Sequence, residues 1–445
     1  MNKKPRIKIQ HFGAIQQTNP DNDGWLDIDK VTVFIGDQGS GKSTVAKLIS
    51  TFMWIEKALV RGDLDAKTLQ RKGKFNQFLK YHRLENYVHK NSYIEYDGLA
   101  KNITFENNQL KIKNNFAHEQ NYVLPQIMYV PAERNFISYV KNPRELKIAS
   151  ESLQEFITEF NNAKNNLKQS FKLPIDDVSV EYDRLNDKLN LKGADYKIQL
   201  SDGASGFQSA VPLLLVSDYL AKSVVNPNTN STPMSEKERE NFSKEMKQIL
   251  ENTDFSDEQR RLAISLLSAK FNKKAFINIV EEPEQNLFPN SQWEILKELL
   301  KFNDLATFNQ LLITTHSPYI INYLSICVKA MQVKEEVTET AYNNLQDEIH
   351  SMLEHERLLP AEIPTDEDLE EQIGLEINKI VPAACWLNNH ELSIYQLKDG
   401  IVTLLPEIYG IPSDDNYLNN MLAQSNEMID KLLEIEDEYA NREFL

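Results

Sequence analysis

Residues 36–43 read Gly-Asp-Gln-Gly-Ser-Gly-Lys-Ser, and they constrain this 445-residue chain more than any other feature. They satisfy the pattern G-x-x-x-x-G-K-[ST] in full. Ahead of them Val31–Ile35 is almost wholly apolar, as a buried strand requires. Behind them Ser43–Val60 carries Val45, Leu48, Ile49, Phe52, Ile55 and Leu59, apolar nearly all round, which predicts a buried helix. A glycine-rich turn between such a strand and helix points successive backbone N–H groups inward, and the helix N-terminus adds its partial positive charge. Lys42 is expected to reach the β and γ phosphates of a nucleotide, and the Ser43 hydroxyl to ligate Mg²⁺. Gly36, Gly39, Ser40, Gly41 and Thr44 are expected to complete the nucleotide contacts.

Three further motifs follow in order. Leu200–Ser209 places Ser205-Gly206 just before the apolar run Ala210–Ala221, which reads either as an anion site or as a simple helix cap. Ala275–Val280 is a buried strand that ends in Glu281-Glu282-Pro283-Glu284. Beside a triphosphate, one carboxylate can hold Mg²⁺ and the next can polarise an attacking water. Glu281 takes the first role by position and Glu282 that of general base; the alternative is an acidic strand-end loop. Gln310–Thr315 is another strand candidate, and His316 follows it directly. It stands where a γ-phosphate sensor belongs, the alternative being an ordinary surface or core histidine.

This order resembles the ABC-type ATPases, over roughly residues 6–325. Ala204-Ser-Gly-Phe-Gln208 resembles a degenerate form of their Leu-Ser-Gly-Gly-Gln signature. The resemblance implies ATP and Mg²⁺ as cofactors, ATP hydrolysis, and a head-to-tail homodimer or higher oligomer in which Ser205 and Gly206 act on a second copy's nucleotide. Glu281 replaces the usual Asp, and Glu281–Glu284 with Leu287-Phe288-Pro289 is similar to the overcoming-lysogenization-defect (OLD) group of the SMC/RecF/OLD branch. Thr314–Pro318 and Tyr129-Val-Pro-Ala-Glu-Arg134 are similar to that group too. Arg134 is expected either to contact the γ-phosphate or to form a structural ion pair. Asp366-Glu367-Asp368 lies in a polar acidic stretch, so no Toprim nuclease is expected in cis. Standalone ATPases of this branch, in PARIS-like or Septu-like anti-phage systems, act with a separate effector, a nuclease or toxin. A RecF/SMC-like DNA-repair ATPase and a low-turnover ATP-dependent scaffold are the competing readings.

Composition bounds the rest. A hydrophobic share of 41% supports a real core and excludes a wholly disordered or collagenous chain. Two cysteines, Cys327 and Cys385, are too few for a disulfide framework and suit a reducing cytoplasm. Arg6-Ile7-Lys8-Ile9 alternates as a strand does, and no apolar run approaches the ~20 residues of a membrane span, so no membrane partner is expected. The net charge of -17 is uneven: +8 over residues 1–150, -6 over 151–320 and -19 over 321–445. Residues 57–90 hold nine basic and three acidic residues with aromatics interleaved. That segment reads as a binding site for DNA or a DNA-mimicking protein, or as a basic surface whose aromatics turn into the core.

The expected architecture is α/β: an ABC-type P-loop NTPase head with an antiparallel β subdomain, a helical insertion and an acidic C-terminal α+β extension. Its expected divisions are 1–142 (phosphate loop and a β meander over Asn91–Asn115), 143–270 (signature and helical insertion, including the polar loop Asn226–Met234), 271–330 (carboxylate and His strands) and 331–445 (acidic subdomain with a hairpin over Glu391–Leu405).

Overall fold

The computed structural model describes residues 3–115, 122–140, 148–225, 236–251, 273–355 and 365–440, with five further positions between 259 and 267. The loop Asn226–Met234 and much of the helical insertion lie outside the described residues. Among the described residues no helix is long and apolar enough to cross a membrane.

The first strands are β1 (Arg6–Phe12), β2 (Ile15–Thr18), β3 (Trp25–Asp27), β4 (Val31–Gly36), β5 (Val88–Asp97), β6 (Lys101–Glu106), β7 (Gln109–Asn114) and β8 (Pro125–Val130). A small sheet follows, β9 (Phe171–Lys172), β10 (Ser179–Asp183), β11 (Lys188–Lys192) and β12 (Lys197–Gln199). Then come β13 (Ala275–Glu281), β14 (Gln310–Thr315), β15 (Leu392–Lys398) and β16 (Ile401–Leu404). The main sheet runs β7-β6-β5-β1-β2-β16-β15-β4-β14-β13-β8, with β3 beside β1.

Strands β15, β4, β14, β13 and β8 are mutually parallel and buried, and their near-continuous Val/Ile/Leu content reflects cover on both faces. On one face Val45, Leu48, Ile49 and Phe52 of helix Lys42–Arg61 pack with Phe34, Leu312 and Tyr395. On the other, Val31, Val33 and Ile35 meet helices Ser205–Val225, Pro289–Asp304 and the start of Pro318–Glu354. The alternation of Val33 and Phe34 between the two cores is the two-residue period of a strand. The expected meander is β5-β6-β7, turned at Asn107 and Asn108, both in the left-handed region that Asn tolerates.

The structure departs from the sequence reading at the C-terminal hairpin, and for residues 57–90 it agrees with the reading in which the aromatics turn into the core. The hairpin β15–β16 does not sit apart with the acidic tail. Leu392–Leu397 pairs in parallel with Val31–Gly36, and β16 joins β2, so the sheet crosses the expected boundary at 331. Residues 179–199 form three antiparallel strands. The aromatics of residues 57–90 turn mostly inward: Phe75 is buried against Phe52 and Phe105, and Tyr81 bonds Glu155, while Tyr87 stays exposed. Asp368, in turn, caps a helix, accepting from the Thr365 backbone N–H and hydroxyl.

Candidate functional site

β4, β14 and β13 end side by side, and this alone gathers the phosphate loop, His316 and the carboxylates. Gly36, Gly39 and Gly41 adopt φ of +144°, +80° and +107°, conformations closed to residues with a side chain. Helix Lys42–Arg61 starts directly on this turn, with Thr44 buried and Ser43 half-buried. A Cβ at Gly39 would meet nothing within 4 Å, so the cradle is open on that side. Ser40 Oγ is buried without a hydrogen-bond partner. An open ring of N–H groups with an orphaned hydroxyl fits a polyphosphate.

Lys42 Nζ donates to the carbonyls of Gly36 and Asp37, each at 2.7 Å, folding back over the loop. Burial pushes its pKa down to about 8, against the raising effect of Glu282, Glu284, Asp37 and Glu281. Lys42 Nζ also lies 3.4 Å from His316 Nδ1, and His316 Nε2 lies 3.4 Å from Glu282 Oε1. An ammonium can only donate, so Nδ1 carries the lone pair and Nε2 the proton, which it gives to the Glu282 carboxylate. That contact holds the Glu282 pKa below its ordinary value. The three motifs thus form one line: Lys42, His316, Glu282.

Glu282 takes φ +45°, a left-handed conformation unfavourable for a side-chain-bearing residue. Its N–H donates to the Thr314 carbonyl at 2.8 Å, fastening the bend to β14. Glu281 ends β13 facing the phosphate-loop helix. Its Oε2 accepts from the Ala132 N–H at 3.2 Å, and its Oε1 lies 3.8 Å from Lys47 Nζ. Lys47 stands four residues after Ser43 on the same helix face, so Glu281 and Ser43 share one side of the site. Ser43 and Glu281 are the residues here that fit a magnesium ion, hard oxygen ligands that leave positions for phosphate and water.

Arg134 departs from both readings offered by the sequence. It is fully buried and makes no ion pair among the described residues; its guanidinium donates to the carbonyls of Glu281 and Glu282 at 2.6 Å, Ser209 at 3.1 Å and Pro131 at 3.3 Å. Ser205 is exposed at the N-terminus of helix Ser205–Val225, and Gly206 packs on the segment after the carboxylates. A Cβ at Gly206 would lie 2.9 Å from the Asn286 carbonyl oxygen, so only glycine permits this approach. Gln208 folds back to bond the carbonyls of Ser201 and Gly203, shaping the turn before the helix.

Sequence reasoning missed several contributors. Glu284 Oε1 accepts from Thr315 Oγ1 and the His316 N–H, both at 2.7 Å, and sets the height of the imidazole. Its place two residues after Glu282 was the available signal. Ile15 and Ala14 lie over Gly41, and Tyr417, at the head of helix Tyr417–Ala440, lies beside Asp37 of the phosphate loop, whose carboxylate raises its pKa. No local pattern marks those contacts.

Among solved structures, the SMC head domain from Thermotoga maritima matches with 10% identity and a TM-score of 0.33, over 92% of this chain and 100% of that one. An SMC head bound to the C-terminal winged-helix domain of ScpA matches at 12% and 0.33, over 72% and 90%. A nucleotide-free ATP-binding cassette of an ABC transporter matches at 14% and 0.24, over 72% and 85%. No curated protein matches in sequence. The family model described as "AAA domain, putative AbiEii toxin, Type IV TA system" matches residues 31–322, from the phosphate-loop strand past His316. The chain belongs to that family of P-loop ATPases.

Proposed function

We propose that the protein hydrolyses ATP with Mg²⁺, as a head-to-tail dimer or larger assembly, and that it is the regulator ATPase of a bacterial anti-phage system controlling a separate effector. The observation that carries the hydrolase reading is the line Lys42–His316–Glu282, with 3.4 Å at each step. Glu282 is the general base. His316 keeps its carboxylate ionised and aimed, and the carboxylate takes the proton of the attacking water. Lys42 leaves the loop carbonyls for the β and γ phosphates. Bound Mg²⁺, held by Ser43 and Glu281, would neutralise charge on those phosphates.

Ser205 and Gly206, exposed and half-exposed at a helix start, suit an anion presented by a second copy. The OLD-like residues Glu281–Glu284 and Thr314–Pro318 support the defence reading. The family description favours a second reading, the toxin half of a type IV toxin–antitoxin pair. Both put another protein beside this one.

Steady-state hydrolysis of Mg-ATP tests the chemistry. Replacing the base, Glu282→Gln, should lower turnover by about 10²–10⁴-fold and retain nucleotide binding. It should also accumulate an ATP-bound dimer in light scattering. A Glu282→Gln protein turning over at the parent rate refutes the assignment.

A further inference from the structure

Arg134 has an occupation that neither a phosphate sensor nor an ion pair describes. Four of its five N–H donors are spent on main-chain carbonyls from three separate segments. Two of those carbonyls, Glu281 and Glu282, form the bend that carries the base. A third, Ser209, lies in the first turns of the Ser-Gly helix. Two further contacts cross the same joint. Ser209 Oγ donates to Gln285 Oε1 at 2.9 Å, and Gly206 packs on the Asn286 carbonyl. A buried cation whose partners are carbonyl dipoles holds a fixed place only while those carbonyls converge on it.

We propose that Arg134 is a positioning residue that couples the Ser-Gly helix start to the Glu282 carboxylate, so that an anion engaging Ser205-Gly206 sets the aim of the base. The proposal rests on the hydrolase reading above and adds its regulation. Glu282 is the sensitive end of the link because its backbone is already in an unfavourable conformation, φ +45°. It stays there through three bonds: its N–H donates to Thr314, and its carbonyl accepts from the Gln285 N–H at 3.1 Å and, more closely, from Arg134 at 2.6 Å. A shift of the Ser209 carbonyl moves the guanidinium plane, and the planar fork passes that shift to the Glu282 carbonyl. The anion in question is the triphosphate of a second copy. Each catalytic base thereby answers to the occupancy of the neighbouring site.

The test uses the full-length protein with Mg-ATP and separates binding from turnover. Parent protein and Glu282→Gln come first; a parent without ATP turnover sinks the hydrolase reading itself. With the parent active, Arg134→Lys keeps the charge but cannot span carbonyls on two segments. It should bind nucleotide within about twofold of the parent and lose about 100-fold in kcat, the cost of misplacing a reacting group by about 1 Å. Ser209→Ala is the second variant, for the case that Arg134→Lys does not fold; it keeps the carbonyl that Arg134 bonds and removes the Oγ–Gln285 bond across the same joint, loosening the link rather than cutting it. Its partner Gln285 is only half-buried and can turn to water, so the fold tolerates the change. It should lower kcat severalfold with nucleotide affinity unchanged. Parent-like kcat in a folded Arg134→Lys, or in Ser209→Ala, overturns the proposal. So does a loss of kcat matched by an equal loss of nucleotide affinity, since that marks a general structural role.

Discussion

The titration of Lys42 gives the nucleotide site a pH signature. In the nucleotide-free protein burial brings its pKa down to about 8. A bound triphosphate favours the ammonium and lifts that pKa, so binding takes up a proton wherever the free amine is neutral. The sign follows: affinity is full below pH 8 and falls as pH rises above it. For a pKa of about 8 the charged fraction drops from about 0.9 at pH 7 to about 0.1 at pH 9, so the dissociation constant should rise about tenfold, or about 1.4 kcal/mol. Half of that protonation is lost by pH 8, where uptake should reach about 0.5 proton per nucleotide. Isothermal titration of Mg-ATP at constant ionic strength, in buffers of different ionisation enthalpy, measures both quantities. Affinity that stays level between pH 7 and 9, or proton release on binding, refutes the reasoning.

Two other outcomes follow from the packing. In Gly36→Ala the new Cβ would lie 2.4 Å from the Leu397 carbonyl oxygen, at φ +144°, so the variant should lose nucleotide binding and about 1–3 kcal/mol of stability, read by nucleotide titration and thermal unfolding. Cys327 and Cys385 are both buried, and burial raises both thiol pKa values, that of Cys385 to about 11. Both should therefore resist a thiol reagent such as dithionitrobenzoate at pH 8 until the protein is denatured, and rapid native labelling of either contradicts their placement.

The site was legible in the sequence wherever its chemistry is written into consecutive residues. The phosphate loop, the Glu281–Glu284 strand end and His316 each carry strand, turn and functional side chain within about ten positions. Parallel pairing then sets them side by side, because strands ending in such motifs share one sheet edge. Arg134 stood in the sequence as either a phosphate contact or an ion-pair partner; nothing local shows that it will be sealed among carbonyls. The placement of β15 was equally hidden. Leu392–Leu397 alternates well enough to read as a strand, yet its period gives no clue to a partner more than 350 residues earlier. Residues 57–90 left two readings open in the sequence, because basic and aromatic residues interleave there but separate in space. Phe75 enters the core while Arg71 and Lys72 stay at the surface.

The place of β15 also governs how the chain can be made. Strand Val31–Gly36 leaves the ribosome early, but its neighbours on both sides, Gln310–Thr315 and Leu392–Lys398, are among the later strands. For most of synthesis the nascent protein therefore holds a short, largely apolar strand with two open edges, the kind of segment that pairs with the wrong chain. Contacts of such sequence separation make folding slow. The phosphate loop itself lacks a neighbour on one side until Leu392–Lys398 arrives, because Leu397 pairs with Gly36 at the loop's first residue. A message truncated before codon 392 would leave Val31–Gly36 with one edge open for good, in a sheet missing its central seam.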